Sequence, residues 1–207
     1  MKVERLETGF LAVNTYIVIN EKLKSCVVID PGGDYGRIMD RINSLNLKIA
    51  GVLLTHGHFD HIGACAKMQK DGCKIYLNYG DDGFTKYPRS AGFPEFSAFI
   101  TPFQADVFVN DNDILDLIGY KFKVLTTPGH TMGSVCYVVE NCIFTGDTLF
   151  HMSVGRTDLE GGAFDLLLNS IKYKLLPLNN LTVYTGHGEM TDIDFEKKNN
   201  PYFQLVK

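Results

Sequence analysis

The stretch Thr55-His56-Gly57-His58-Phe59-Asp60-His61 closes an apolar run, Ile49 to Leu54, and packs four candidate metal ligands into six positions. Two histidines at alternate positions of an extended segment point to the same side, because side chains alternate along a strand. Asp60 and His61 follow after one spacer, placed to approach from the turn into a helix. Any fold of this chain must therefore bring the end of a buried strand and the start of a helix to one ligand-bearing edge.

Three further apolar segments end in the same way. The strand ending at Leu125 runs into Thr127-Pro128-Gly129-His130-Thr131, the strand ending at Thr145 into Gly146-Asp147-Thr148, and the strand ending at Tyr184 into Thr185-Gly186-His187-Gly188. Five of the six histidines sit at such strand ends, and His151 alone does not. Taken singly, His130 or His187 reads as a hydrogen-bonded structural residue and Asp147 as a turn cap. Beside the four-ligand stretch each reads as a ligand. The set is then His56, His58, Asp60, His61, His130, Asp147 and His187. Imidazole and carboxylate suit zinc first, and iron or manganese as well, with no thiolate in the set. Seven ligands exceed one tetrahedral ion but suit two divalent ions sharing a carboxylate. Such a pair, about 3.5–4 Å apart, bridges a hydroxide, orients a carbonyl or phosphoryl group and stabilises the oxyanion that forms.

The rest of the chain supplies a frame. Asn14 to Asn20 and Cys26 to Ile29 read as an antiparallel hairpin, stopped by Asp30-Pro31-Gly32-Gly33. Tyr35 to Leu45 carries Ile38, Ile42 and Leu45 at helical spacing. His61 to Lys70 and Ala163 to Leu176 are expected helices. Lys74 to Leu77, Ile114 to Leu117, Phe122 to Leu125, Val135 to Val139, Cys142 to Thr145 and Leu181 to Tyr184 are expected strands. Strand-rich halves that each carry helices fit a four-layer αββα sandwich of the α/β class, which composition alone would not choose. Between the halves, residues 80–110 hold Phe84, Tyr87, Phe93, Phe96, Phe99, Phe103 and Phe108, either a binding lid or a satellite cluster sealing the core.

At 207 residues the chain fits one domain spanning 1–207, with 45% hydrophobic and 21% charged residues. A net charge of −4 argues against nucleic acid as a partner, since binders of it carry a basic surplus. No apolar run reaches a membrane span, and Met1 to Glu7 lacks the apolar core of a signal peptide. Five cysteines without a CxxC pair then read as reduced core thiols of a cytoplasmic protein.

At these residues the sequence resembles the metallo-β-lactamase superfamily, with Asp30-Pro31-Gly32, Thr55 to His61, Gly129-His130, Gly146-Asp147 and Gly186-His187 in that family's order. Gly146-Asp147-Thr148-Leu149-Phe150, followed by Val154-Gly155-Arg156-Thr157-Asp158, is similar to the glyoxalase II-like hydrolases, the hydroxyacylglutathione hydrolase subgroup. The resemblance implies the αββα sandwich. It also implies one metal on His56, His58, His130 and Asp147, and another on Asp60, His61, Asp147 and His187. The implied reaction is cleavage of a small thioester of the S-acyl-glutathione type by a metal-bridging hydroxide, with Asp60 and Asp147 as catalytic residues. Glyoxalase II proper adds a C-terminal helical extension that grips glutathione. Here about twenty residues follow His187, so a thioester is implied without its carrier. Lys86, Arg89 and Arg156 are candidates to bind an acidic substrate tail, and for Arg156 an ion pair with Asp158 is the competing role.

Other readings differ in what they require. A persulfide dioxygenase would use one iron on His56, His130 and Asp147, a facial triad. A nuclease of the superfamily lacks its basic stripe here. A β-lactamase lacks its export signal, and an electron-transferring diiron member normally has Glu where this chain has His58. A scaffold descended from an enzyme would have lost ligands, and none is missing. Residues 80–110 would serve a substrate cover or a dimer contact equally, so a homo-oligomer stays open.

Overall fold

The computed structural model describes residues 1–88 and 94–206. Two six-stranded sheets run through them. The first orders β1 (Lys2–Thr8), β2 (Val13–Asn20), β3 (Ser25–Ile29), β4 (Lys48–Leu53), β5 (Ile75–Leu77) and β6 (Val107–Phe108) side by side. The second orders β7 (Ile114–Leu117), β8 (Tyr120–Thr126), β9 (Val135–Val139), β10 (Cys142–Gly146), β11 (Thr182–Thr185) and β12 (Thr191–Asp192). Both are mixed: β1 to β3 and β7 to β10 pair antiparallel, while β3 to β6 and the β10–β11 pair run parallel.

The central strands are apolar on both faces, and each face serves a different layer. In β3, Val27 and Ile29 point between the sheets, whereas Cys26 and Val28 point outward. Val135 and Tyr137 of β9 enter the inter-sheet core, and Cys136 faces the other way. A strand buried on both faces reads as a continuous apolar run, which is why the sequence shows runs here rather than alternation. Over the first sheet pack α1 (Tyr35–Ser44), through Ile38 and Ile42, and, after the short α2 (Phe59–Ile62), α3 (Cys65–Lys70), through Cys65 and Met68. Each fully buried side chain of this kind contributes roughly 1.5–3 kcal/mol. Residues 80–110 are not a bare loop. They contain α4 (Asp82–Lys86), α5 (Pro94–Ser97) and β6. Over the second sheet lie α6 (Phe164–Ser170), α7 (Ile193–Asn199) and α8 (Pro201–Gln204), contributing Leu167, Ile193 and Phe203. The four layers are those of an αββα sandwich. No helix among the described residues is long and apolar enough to cross a membrane.

Local departures have physical causes. The helix expected over 61–70 is broken, because the Ala64 amide donates to the Pro31 carbonyl at 2.9 Å instead of continuing a helical ladder. Gly63 packs so tightly there that a Cβ would lie 2.2 Å from the Gly32 oxygen. The helix expected over 163–176 ends at Ser170 and widens into a π-type turn, Ile171–Leu175, with the Leu176 amide donating to the Ile171 carbonyl at 2.8 Å. Helices α7 and α8 carry their own start signals: Asp192 accepts from the Phe195 amide at 2.6 Å and Asn200 from the Tyr202 amide at 3.0 Å, with Pro201 opening α8.

Candidate metal centre

Four strand ends deliver the seven sequence-selected ligands to one edge of the sandwich. β4 leads into His56 and His58, with Asp60 and His61 on α2. β8 leads into His130, β10 into Asp147 and β11 into His187. Three groups of side chains place their ligand atoms within 4.8 Å of one another: His56, His58 and His130; His56, His61 and Asp147; Asp60, His61 and His187. His58 Nδ1 faces His130 Nε2 at 2.9 Å. The Asp147 carboxylate lies between the groups, with Oδ1 3.3 Å from His61 Nε2 and Oδ2 3.5 Å from His130 Nε2 and 3.7 Å from His187 Nε2. Asp60 Oδ2 sits 3.2 Å from His187 Nε2. His61 is fully buried while the His187 side chain is 27% exposed, so the cluster opens to solvent on the His187 side.

The donor atoms fit cations. Nε2 of His56, Nε2 of His61 and Oδ1 of Asp147 are buried without a hydrogen bond among the described residues. Leaving such groups unpaired is costly unless something positive occupies the space between them. Gly186 keeps that space open, since a Cβ there would lie 2.2 Å from Asp147 Oδ1 and 2.9 Å from His61 Cε1. Burial pushes His56 well below the ordinary imidazole range and takes His58 down to about 3, helped by neighbouring imidazoles. Both are therefore neutral at pH 7, the form in which an imidazole can bind a cation. Burial also works to lower His61, but Asp147, Asp60 and Asp30 outweigh it and raise the ring well above its usual value. For Asp147 burial is outweighed by His61 and His130, which hold the carboxyl well below the usual range; His61 and His187 do the same, less strongly, for Asp60.

Behind the donors stand two carboxylates that the sequence does not single out as site residues. Asp30, at the end of β3 with φ of 49°, accepts from the Thr55 amide at 2.8 Å, the Thr55 hydroxyl at 2.6 Å and His61 Nδ1 at 3.0 Å. It orients the His61 ring so that Nε2 faces the cluster. Asp81 accepts from the Gly57 amide at 2.8 Å, the Thr131 hydroxyl at 2.7 Å and the Gly133 amide at 2.7 Å, tying the His56–His58 loop to the His130 loop. His130 Nδ1 donates to the Arg156 carbonyl at 2.7 Å, which leaves Nε2 for the cluster. Tyr16 and Asn14 of β2 donate to the Thr185 carbonyl at 2.7 and 3.0 Å, clamping the His187 loop across the two sheets. The sequence marks Asp30 by the Asp-Pro-Gly break after a strand, which turn chemistry explains equally well, and by the place of that segment in the family's motif order, neither of which assigns it a partner.

The remaining candidates scatter. Arg156 lines the cleft beside His58, Asp60, His130 and Asp147, with its guanidinium paired to both Asp158 oxygens at 2.7 Å. Lys86 lies in a separate depression with Tyr87 and Ile100, its ammonium 2.5 Å from Asp82. Arg89 lies outside the described residues, as does Phe93. His151 is exposed, its ring 5.3 Å from that of Phe195.

Comparison with known proteins gives a consistent set of matches. The profile of the metallo-β-lactamase superfamily matches residues 8–187. A Haemophilus influenzae protein named hydroxyacylglutathione hydrolase GloC is 36% identical, over 98% of this chain and 98% of its own. Among solved structures, BLEG-1, described as a B3 metallo-β-lactamase, superposes with a TM-score of 0.91 at 35% identity, over 98% of this chain and 99% of its own. TTHA1623, solved in a di-iron-bound form, superposes with a TM-score of 0.85 at 30% identity, over 96% and 99%.

Proposed function

Because the chain belongs to the metallo-β-lactamase superfamily, we propose that it is a binuclear metal-dependent hydrolase that cleaves a small thioester of the S-acyl-glutathione type. His56, His58, His130 and Asp147 would hold one ion, and Asp60, His61, Asp147 and His187 the other. Divalent ions bound there supply Lewis acidity and a hydroxide at neutral pH. Zinc suits the imidazole-rich donor set, and the di-iron form of TTHA1623 makes iron the alternative.

The observation that carries this reading is the position of Asp147. Its Oδ2 lies near both His130 and His187, which belong to the two different proposed ligand sets, while Oδ1 faces His61, so one carboxylate stands where two ions could share it. Three ligands would suffice for a single-iron oxygenase, whereas here Asp60, His61 and His187 converge as a further set. Asp60, kept ionised by His61 and His187, orients the attacking water toward the substrate carbonyl. Arg156, at the rim of the cleft, takes an anionic tail of the substrate in exchange for Asp158. The thioester assignment rests on the relative named hydroxyacylglutathione hydrolase. That protein matches this chain along 98% of its own length, so the C-terminal extension of glyoxalase II proper is not part of the match.

The name of BLEG-1 favours a second reading, in which the acyl group is that of a β-lactam. The same side chains would serve it. The deciding experiment assays S-D-lactoylglutathione and a chromogenic cephalosporin in parallel on protein whose zinc, iron and manganese have been counted. Thioester turnover with two metals per chain supports the proposal. Lactam turnover alone, or one metal per chain, overturns it. Asp147→Ala should abolish turnover and lower metal content together, and retention of both would remove the shared-carboxylate role.

A further inference from the structure

Phe10 and Phe99 are 74% and 75% exposed, two phenyl rings left in water beside the metal cleft. Phe10 lies in the turn between β1 and β2, and Phe99 just after α5. Their ring centroids are 6.4 Å apart at 44°. Phe96 stands 6.3 Å from Phe10 and stacks on Phe59 at 6.2 Å and 11°. Phe59 opens α2, immediately before the ligand Asp60.

At these rings lies a cavity of about 340 Å³, lined by Phe10, Phe99, Ile100, Phe59, Asp60 and the backbone of Gly33. Phe59 and Asp60 line the metal cleft too, so the two spaces share a wall. Exposed apolar rings gathered on a cavity beside a polar cluster mark a ligand site rather than scattered surface residues. No Lys or Arg among the described residues lines it, which disfavours a carboxylate or phosphate as occupant. Its second acid, Asp34, is engaged by the Gly9 amide at 3.1 Å. The tilted rings present edges and faces to the gap, the geometry in which aromatic groups contact one another.

We propose that this cavity receives the acyl group of the substrate and selects for an aromatic one, such as arylacetyl; this rests on the thioester reading above. The carbonyl then lies at the ligand cluster, the ring reaches past Asp60 to Phe10 and Phe99, and the thiol carrier extends toward Arg156. Hydrolysis adds water across the carbon–sulfur bond and releases an arylacetic acid and a free thiol.

The test compares S-phenylacetylglutathione with S-acetylglutathione on the metal-loaded full chain. The expected kcat/KM ratio favours the phenylacetyl ester by about tenfold or more. Phe10→Ala and Phe99→Ala should each pull that ratio toward one, with metal content and Tm held. No preference, or a preference that survives both substitutions, overturns the inference while leaving thioester hydrolysis intact. Should neither ester be cleaved, the thioester reading fails, and calorimetric titration with phenylacetate and acetate tests the cavity separately. Tighter phenylacetate binding that Phe10→Ala abolishes keeps it as an aryl site, and equal binding removes it. Sedimentation provides a third arm: a dimer that Phe10→Ala converts to monomers would mean that a second copy covers the rings, which also overturns the proposal.

Discussion

Asp30 shows how much a single buried carboxylate can organise. It holds the Thr55 backbone, the Thr55 hydroxyl and His61 Nδ1 at once, so the ligand stretch is anchored from behind at two points. Asp30→Asn preserves the shape but withdraws the charge that polarises His61. Metal affinity measured by chelator competition should fall about 10–100-fold, the usual cost of losing a carboxylate behind a ligating histidine. Asp30→Ala should cost more, because the Thr55 amide then loses its partner. The protonation of the cluster gives a second expectation. His56 and His58, pushed down by burial, hold no proton to lose to an ion, whereas His61, pushed up by Asp147, Asp60 and Asp30, is the ring that gives one up. Loading with zinc at pH 7 should therefore release protons. Calorimetry in two buffers of different ionisation enthalpy reads this directly, and no buffer dependence would contradict it.

Among the elements, the parts legible in the sequence are those whose signals are local. Strands β9 and β10 stand out because double-sided burial makes them runs, β8 because Phe122 and Val124 alternate with exposed Lys121 and Lys123, and the candidate ligands lie within a few residues of the ends of β4, β8, β10 and β11. β1 escapes the same reading: Lys2-Val3-Glu4-Arg5-Leu6 looks like a charged surface segment, yet it pairs with β2 over its full length. Asp30 and Asp81 are missed because their partners lie 24–52 residues away, a relation that spacing cannot show. The α2–α3 break depends on a contact with Pro31 that exists only once the sandwich has closed. Gly129 makes a related point at the other end of the site. At φ of +140°, it brings its backbone against α6, where a Cβ would lie 2.3 Å from the Leu167 nitrogen. Neither partner is a flexible side chain, so Gly129→Ala must shift α6 or the His130 loop. A loss of about 2–4 kcal/mol in denaturant unfolding is expected, together with weaker metal binding. A change below roughly 0.5 kcal/mol, the range of ordinary surface substitutions, would show that the contact relaxes freely.

For the molecule as a whole, the site is a seam between sheets. The first sheet supplies Asp30, His56, His58, Asp60 and His61 from the ends of β3 and β4. The second supplies His130, Asp147 and His187 from β8, β10 and β11. The inter-sheet core fastens the layers below this edge through Tyr16, Leu53, Tyr137 and Phe144, but at the edge the packing gives way to clustered imidazoles and carboxylates, with His56 Nε2, His61 Nε2 and Asp147 Oδ1 lacking a hydrogen bond among the described residues. Cations bound there would stabilise the folded state alone, because the unfolded chain does not bring the two ligand sets together. At a free-metal concentration 1,000 times the dissociation constant, that linkage is worth about 4 kcal/mol per ion. A chain of this size changes its Tm by about 2–4 °C per kcal/mol. Stripping the metals with a chelator should then lower Tm by about 8–16 °C for one tightly held ion, and further for two. Asp147→Ala, which removes the carboxylate facing both ligand groups, should start near the stripped value and respond little to the chelator. If wild-type protein with measured metal keeps its Tm after stripping, the two sheets do not depend on the ions at this edge. The ligand cluster would then be held in place by Asp30, Asp81, Tyr16 and Asn14 alone.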